Sequence, residues 1–112
     1  MVNSTAQINK LVQKYVFNLQ KKGIRPIKIV LYGSYAKGNP NKWSDLDLIV
    51  VSPDFKKYSQ LKRLILLSKA TANLSESIEA FGYTPEEIPD EEDKTPALWD
   101  IARKTGKIVY SE

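Results

Sequence analysis

The chain has 112 residues, of which 42% are hydrophobic, and it carries a formal net charge of +4 at pH 7. This length suits a single domain over residues 1–112 with one hydrophobic core, and the apolar content is sufficient to offset the entropy cost of folding. The sequence contains no Cys and no His, which excludes disulfides, thiolate or imidazole metal ligands, and Ser-His or Cys-His catalysis. Any catalysis would therefore rest on carboxylates, Lys, Tyr and hydroxyl groups.

The basic residues fall in three stretches, 10–25, 56–69 and 103–107. Because they are interspersed with apolar residues at helical spacing, we interpret most of them as solvated helix faces, and we do not expect a nucleic-acid partner. The first residues lack the apolar core of a signal peptide, and no apolar run approaches the roughly 20 residues of a membrane span. We expect a cytoplasmic protein without membrane association.

The first half of the chain predicts one helix and two strands. An amphipathic helix begins after Asn3 or Ser4 and stops near Gly23. Its predicted inner face consists of Ile8, Leu11, Val12, Tyr15 and Leu19. The β-branched run 26–32 and the apolar run 46–51 predict two core strands, separated by a polar connection over 33–44.

The second half predicts further alternation of helices and strands. A helix capped by Asp54 is expected to bury Phe55, Tyr58, Leu61, Leu64 and Ile65. A third strand follows over 77–83, and a helix start at Thr84 carries Pro in its first turn. After a solvated acidic loop at 90–93 come a last helix over 97–104 and a short strand over 107–110. The predicted architecture is α/β, with a small mixed sheet of about four strands covered by helices.

Two acidic residues open the second predicted strand. Side chains alternate along a strand, so Asp45 and Asp47 project from the same face. Two carboxylates at one strand end suit a divalent cation such as Mg²⁺, because its positive charge removes their mutual repulsion. The alternative from the residues alone is a strand end whose acids face solvent.

The segment between the two strands offers a phosphate-binding turn. Gly33 and Ser34 directly follow the first strand, where a glycine permits close approach and backbone N–H groups and a hydroxyl can donate. Lys37 is near enough to reach a phosphate, although a loop Lys is more often solvated. Ser44 can cap or orient Asp45, whereas Tyr32 is interpreted as a core residue.

The combined pattern is Gly33-Ser34, ten intervening residues, then Asp45-x-Asp47, and it resembles the DNA polymerase beta-like nucleotidyltransferase superfamily. The chain looks most like the minimal nucleotidyltransferases of the antitoxin type, small domains often encoded beside a helical HEPN-type partner. The resemblance implies a nucleotidyltransferase fold in which Gly33 and Ser34 hold the triphosphate. It also implies that Asp45 and Asp47 are catalytic metal ligands, joined by Glu79 where the family commonly has Asp.

This resemblance implies three possible functions, which stay open at the level of sequence. The first is transfer of AMP from ATP, with two Mg²⁺ ions, to a tyrosine of a HEPN-type toxin. The second is a non-catalytic module that binds a nucleotide or a partner protein. The third is a transferase acting on a nucleic acid or a small molecule, with an acceptor lobe supplied by another chain. Formation of a homo-oligomer also stays open.

Overall fold

The computed structural model describes residues 5–33, 36, 45–89 and 95–112. Helices α1, α2 and α3 span Thr5–Lys21, Gln60–Lys69 and Ala97–Thr105. Strands β1, β2, β3 and β4 span Lys28–Tyr32, Leu46–Val51, Ile78–Tyr83 and Lys107–Ser111. Two short 3-10 helices cover Pro53–Lys57 and Pro85–Glu87. The predicted caps Asn3 and Ser4 and the acidic loop at 90–93 lie outside the described residues.

The four strands form one mixed sheet in the order β3-β2-β1-β4. Strand β1 pairs antiparallel with both β2 and β4, whereas β2 and β3 are parallel and are connected through α2. A parallel pair requires such a crossover, which explains why the helix lies between these strands in sequence. The predicted fold class and the number of strands are confirmed.

Apolar side chains on both sides of the sheet produce two cores. On one side, α1 and α2 cover a cluster that includes Ile29, Leu48 and Val50. On the other side, Trp99 and Ala102 of α3 pack against Val30, Ile49 and Val51. The central strand β2 is therefore buried on both faces, as its nearly continuous apolar sequence requires. Only at its first residues does a charge interrupt this pattern.

The predicted helix after β2 is wrong in its phase. The chain forms a 3-10 helix over Pro53–Lys57 and then restarts as α2 at Gln60. The Ser52 side chain accepts from the Asp54 N–H, so the expected cap Asp54 is not the cap, and the Ser59 side chain caps α2 by accepting from the Lys62 N–H. Two serine caps interrupt the helical repeat, and this break rotates the second part of the segment.

As a result, the apolar positions do not share one buried face. Phe55 is buried in the core, and Tyr58 packs partly against it. The remaining predicted core positions, which belong to α2, are exposed: Leu61, Leu64 and Ile65. The buried residues of α2 are instead Arg63 and Leu67.

The buried Arg63 connects four parts of the chain. Its Nε donates to the carbonyl oxygens of Phe55 (3.0 Å) and Tyr58 (3.1 Å). Its Nη1 donates to the Gly82 carbonyl (3.2 Å) and to Glu87 Oε1 (2.7 Å). The predicted helix start at Thr84 is only one 3-10 turn, in which Glu87 Oε1 also accepts from the Thr84 N–H at 2.7 Å.

The other predicted elements are confirmed. In α1 the buried residues include Leu11, Val12, Tyr15 and Leu19, and the turn after the helix contains Gly23 with φ +82°. Helix α3 and strand β4 each extend one residue beyond their predicted ends. In the described ranges, no helix is both long enough and apolar enough to cross a membrane.

Candidate active site

Three neighbouring strands bring together the carboxylates that the sequence singles out. Asp47 lies opposite Tyr32 of β1 and also opposite Glu79 of β3 in the strand register. Register partners on adjacent strands project from the same face of a sheet. Asp47 is thus flanked by a tyrosine on one side and a second carboxylate on the other.

Gly33 ends β1 in a conformation that fits closely against Asp47. Its φ of +76° lies in the left-handed region, which a residue with a Cβ rarely adopts. A Cβ at this position would overlap Asp47 Oδ2, and it would also approach Asp47 Cγ to 3.2 Å. Because Gly33 has no Cβ, the Asp47 carboxylate can occupy this position, directly beside the turn that the sequence predicts for phosphate binding.

The electrostatics of the cluster disfavour ionisation of Asp47. Partial burial raises the pKa of its carboxyl group, and the negative charges of Glu79 and then Asp45 raise it further. The charges of Glu79 and Asp45 thus oppose ionisation of Asp47, and a cation bound among the three would reverse this effect. Asp45, just before β2, and Glu79 are both exposed to solvent, so the cluster is open to a ligand.

The donor chemistry fits a magnesium site. Mg²⁺ prefers oxygen ligands and commonly uses one or two carboxylates together with waters and substrate phosphates. Within the described parts of the chain, no three acidic side chains converge on one point as a ready-made metal cage. Without a cation the carboxylates repel each other, so they are not expected to converge. Their charges and their oxygen donors fit Mg²⁺, although the described residues form no closed cage.

Not every predicted site residue can be located. The structure brings Gly33, Asp45, Asp47 and Glu79 to one end of the sheet. Ser34, Lys37 and Ser44 lie outside the described residues, and their predicted roles in binding the nucleotide stay predictions.

The sequence interpretation missed Tyr32 as part of this cluster. Tyr32 is only partly buried, and its pKa is raised to about 12, first by burial and then by the charges of Asp47 and Glu79. Tyr83 also acts on Tyr32, and its own pKa is raised, mainly by burial. In the sequence, only the position directly before Gly33 indicates that Tyr32 belongs to the site. Its place opposite Asp47 depends on the register between β1 and β2.

Comparison with known proteins defines the class of this domain. The family model described as Nucleotidyltransferase domain matches residues 10–107. The chain therefore belongs to the nucleotidyltransferase domain family, which confirms the resemblance found in its Gly-Ser and Asp-x-Asp segments. No curated protein sequence matches the chain significantly.

Solved structures share the fold at low sequence identity. A proposed nucleotidyltransferase from Sulfolobus solfataricus is 16% identical with a TM-score of 0.64, and the match covers 96% of this chain and 84% of that one. A toxin-antitoxin structure with AMP-PNP is 20% identical with a TM-score of 0.58, covering 89% and 73%. A point mutant of the toxin-antitoxin MntA-HpeT is also 20% identical, with a TM-score of 0.59 and coverage of 90% and 72%.

Proposed function

We propose that this nucleotidyltransferase domain transfers AMP from ATP to a hydroxyl group of a partner protein. The observation that carries the proposal is the pairing of Asp47 with Glu79 across β2 and β3, with Gly33 packed against the Asp47 carboxylate. An acidic pair beside a glycine turn suits a metal-bound triphosphate better than it suits a stable strand end, because the pair lowers stability when no cation is present.

The choice of ATP and of a toxin as acceptor draws on the structural neighbours. One of them is a toxin-antitoxin structure with AMP-PNP, a non-hydrolysable relative of ATP, and another is the toxin-antitoxin MntA-HpeT. By analogy with these folds, we propose a toxin of the HEPN type as the partner and one of its tyrosines as the acceptor. The domain would then act as the antitoxin of the pair.

The proposed roles follow from the chemistry of each group. Asp45, Asp47 and Glu79 would hold Mg²⁺, which supplies positive charge to the phosphates and to the attacking and leaving oxygens. Gly33, Ser34 and Lys37 would bind the β- and γ-phosphates, and Ser44 would orient Asp45. Tyr32 would form part of the wall beside Asp47.

The transfer itself is a substitution at the α-phosphorus. The acceptor oxygen forms a bond to the α-phosphorus, the bond from this phosphorus to the α-β bridging oxygen breaks, and pyrophosphate leaves. The acceptor proton passes to a site carboxylate, for which we assign Glu79. Alignment of the acceptor and the triphosphate by the site would provide much of the rate enhancement.

The test is transfer of label from α-phosphate-labelled ATP to protein in Mg²⁺, with the chain co-expressed with the product of its neighbouring gene. We expect a labelled partner, and we expect Asp45→Asn and Asp47→Asn to reduce the labelling rate at least about 100-fold, as for loss of a main transition-state contact. Glu86→Gln, a change at an exposed carboxyl of the second 3-10 helix, is the matched control and should label normally.

A separate ATP-binding measurement distinguishes the alternatives. Binding of ATP that depends on Mg²⁺, without transfer to any partner, would contradict the transferase proposal and favour a nucleotide-binding module. Glu79 in place of the family's usual Asp is the feature that favours this module, since its longer side chain changes the reach of the third carboxylate. Loss of both binding and transfer would contradict the assignment of the site.

A further inference from the structure

The outer face of α2 carries apolar side chains that no other described part of the chain covers. The exposed fractions of Leu61, Leu64 and Ile65 are 69%, 38% and 39%. These residues, together with the exposed Ser68, follow the spacing i, i+3, i+4, i+7 and form one straight stripe along the helix. We name these four residues the α2 stripe.

The stripe is not part of the domain's own core. Arg63 and Leu67, which α2 buries, lie on the opposite side of the helix and face β3 and the first 3-10 helix. The serine caps that restart the helix keep this orientation, so the stripe cannot turn inward without breaking the Arg63 hydrogen bonds. A row of exposed aliphatic side chains along one helix face can serve as an interaction site.

The charge around the stripe indicates what covers it. Between Asp54 and Glu76 the sequence has no acidic residue, and its four lysines, Lys56, Lys57, Lys62 and Lys69, are all exposed. Lys62 and Lys69 are seven residues apart and therefore lie along the same flank of the stripe. At the C-terminal end of α2, a cavity of about 260 Å³ is lined by Lys21, Lys22 and Lys69.

We propose that the α2 stripe docks an amphipathic helix of another protein, one whose apolar stripe is flanked by acidic residues. A straight ridge of aliphatic side chains at helical spacing matches the apolar face of a second helix. Carboxylates beside that face would meet Lys62 and Lys69. A second copy of this chain docked antiparallel by two-fold symmetry would instead bring two lysine flanks together, which repel each other.

This surface is distinct from the carboxylate site. Asp47 and Glu79 lie on the face of the sheet that α3 covers, whereas α2 packs on the other face. The docked protein need not be the AMP acceptor. Docking and transfer can therefore be tested and lost separately.

The probe is a synthetic helical peptide with Leu and Ile at i, i+3, i+4 and i+7 and with Glu on both flanks. A matched peptide carries Lys on the flanks. Binding to the intact chain is measured by fluorescence anisotropy at low and high salt. We expect a Kd on the order of 10–100 μM for the acidic peptide, at least about 10-fold tighter than for the basic peptide, and weaker at high salt.

Surface variants test the assignment without disturbing the core. Combining Leu61→Ser with Ile65→Ser should weaken binding about 10-fold or more, because these are the predicted anchors. Combining Lys62→Glu with Lys69→Glu should reverse the preference between the two peptides. Ile101→Ser is the matched control: Ile101 is 58% exposed on α3, and the substitution should leave binding unchanged. Circular dichroism verifies that each variant keeps its helices.

Four results would overturn the inference. They are absence of saturable binding of the acidic peptide, equal binding of both peptides, an equal effect of Ile101→Ser, and self-association that the stripe variants abolish. The last result, measured by sedimentation velocity, would assign the stripe to a contact between copies of this chain. Transfer of AMP in the stripe variants, measured with a soluble acceptor peptide, would show that the carboxylate site is independent of it.

Discussion

Gly33 and Asp47 depend on each other at the end of β1. The glycine adopts φ +76° and leaves room for the Asp47 carboxylate, whose oxygen would overlap any Cβ placed there. Gly23 also has a positive φ, +82°, but a Cβ added to it would meet nothing within 4 Å. The two glycines thus separate the cost of a left-handed backbone from the cost of a steric overlap.

We therefore predict different losses for two alanine substitutions. Gly23→Ala should lower the free energy of unfolding by about 1 kcal/mol, the cost of the left-handed conformation alone. Gly33→Ala should lower it by about 2–4 kcal/mol, because the added methyl group also displaces Asp47. Urea unfolding monitored by circular dichroism provides both values.

The nucleotide provides the control for this comparison. Gly33→Ala should reduce ATP binding, whereas Gly23→Ala should leave it unchanged, since Gly23 is distant in the fold from the carboxylates. Equal stability losses for the two variants would show that Asp47 moves freely and that the close contact has no energetic role.

Among the structural elements, α2 shows where prediction from sequence succeeds and where it fails. The β1 and β2 strands and the α1 face were predictable because each has a long apolar pattern and an unambiguous stop. The 53–69 segment was not, because Phe55, Leu61 and Ile65 fit a single helical repeat in sequence. The Ser52 and Ser59 caps divide that repeat, and serine is common at other positions as well.

For the candidate site, the sequence singled out the carboxylates but not their neighbours, and the functional roles of the carboxylates stay predictions. Asp45, Asp47 and Glu79 were recognisable from strand alternation and family resemblance. The position of Tyr32 opposite Asp47 was not, because register between strands depends on packing across the whole sheet. Local patterns contain no information about this pairing.

Arg63 allows a test of how α2 is held in its rotated position. Arg63→Ala would remove the donor for three carbonyl groups and leave Glu87 without its ion pair. We expect a loss of about 3–5 kcal/mol in the free energy of unfolding, because two buried carbonyl groups and one partly buried carbonyl group lose their donor. Arg25→Ala is the matched control, because Arg25 pairs with Glu112 at the surface, and this change should cost less than about 1 kcal/mol.

A milder variant covers the case in which Arg63→Ala does not fold. Burial acts to raise the pKa of Glu87, but hydrogen bonds from Arg63 and Thr84 lower it overall. The contribution of Glu87 to the free energy of unfolding is therefore present above pH 4.5, the pKa of this group in the unfolded chain. It is lost as the pH falls through the lower pKa of the folded state. Glu87→Gln should cost about 1–2 kcal/mol at neutral pH and remove this acid dependence. A neutral effect of both variants would contradict a structural role for the pair.

At the scale of the whole molecule, the acidic cluster lowers the free energy of unfolding at neutral pH. The pKa of Asp47 is raised by burial and by Glu79 and Asp45, so the folded state binds this proton more tightly than the unfolded chain does. As the pH rises above 3.8, the ordinary pKa of this group, the Asp47 carboxyl loses its proton in the unfolded chain before it does so in the folded state. The contribution of Asp47 to stability therefore falls as the pH rises from 3.8 through the raised pKa. At neutral pH the cost is fully present unless a cation offsets it.

Because of this cost, we predict that Asp47→Asn stabilises the fold while it removes most of the AMP transfer. In EDTA at neutral pH, Asp47→Asn should raise the melting temperature by about a few °C, a small gain because solvent screens the charges around a carboxyl group that is only partly buried. Addition of Mg²⁺ should stabilise the wild type, by about 1.4 kcal/mol at ten times its Kd, and should stabilise the variant much less. Glu86→Gln should behave as the wild type in both conditions.

The pH dependence provides an independent measurement of the same effect. The difference in melting temperature between Asp47→Asn and the wild type, both in EDTA, should be smallest near about pH 4 and should grow as the pH rises, because only the wild type acquires the opposing charge. A difference that does not change with pH would assign the gain to packing. A lower melting temperature for Asp47→Asn would mean that the carboxylate stabilises the fold, and Asp47 would then have a structural role in place of a metal-binding one.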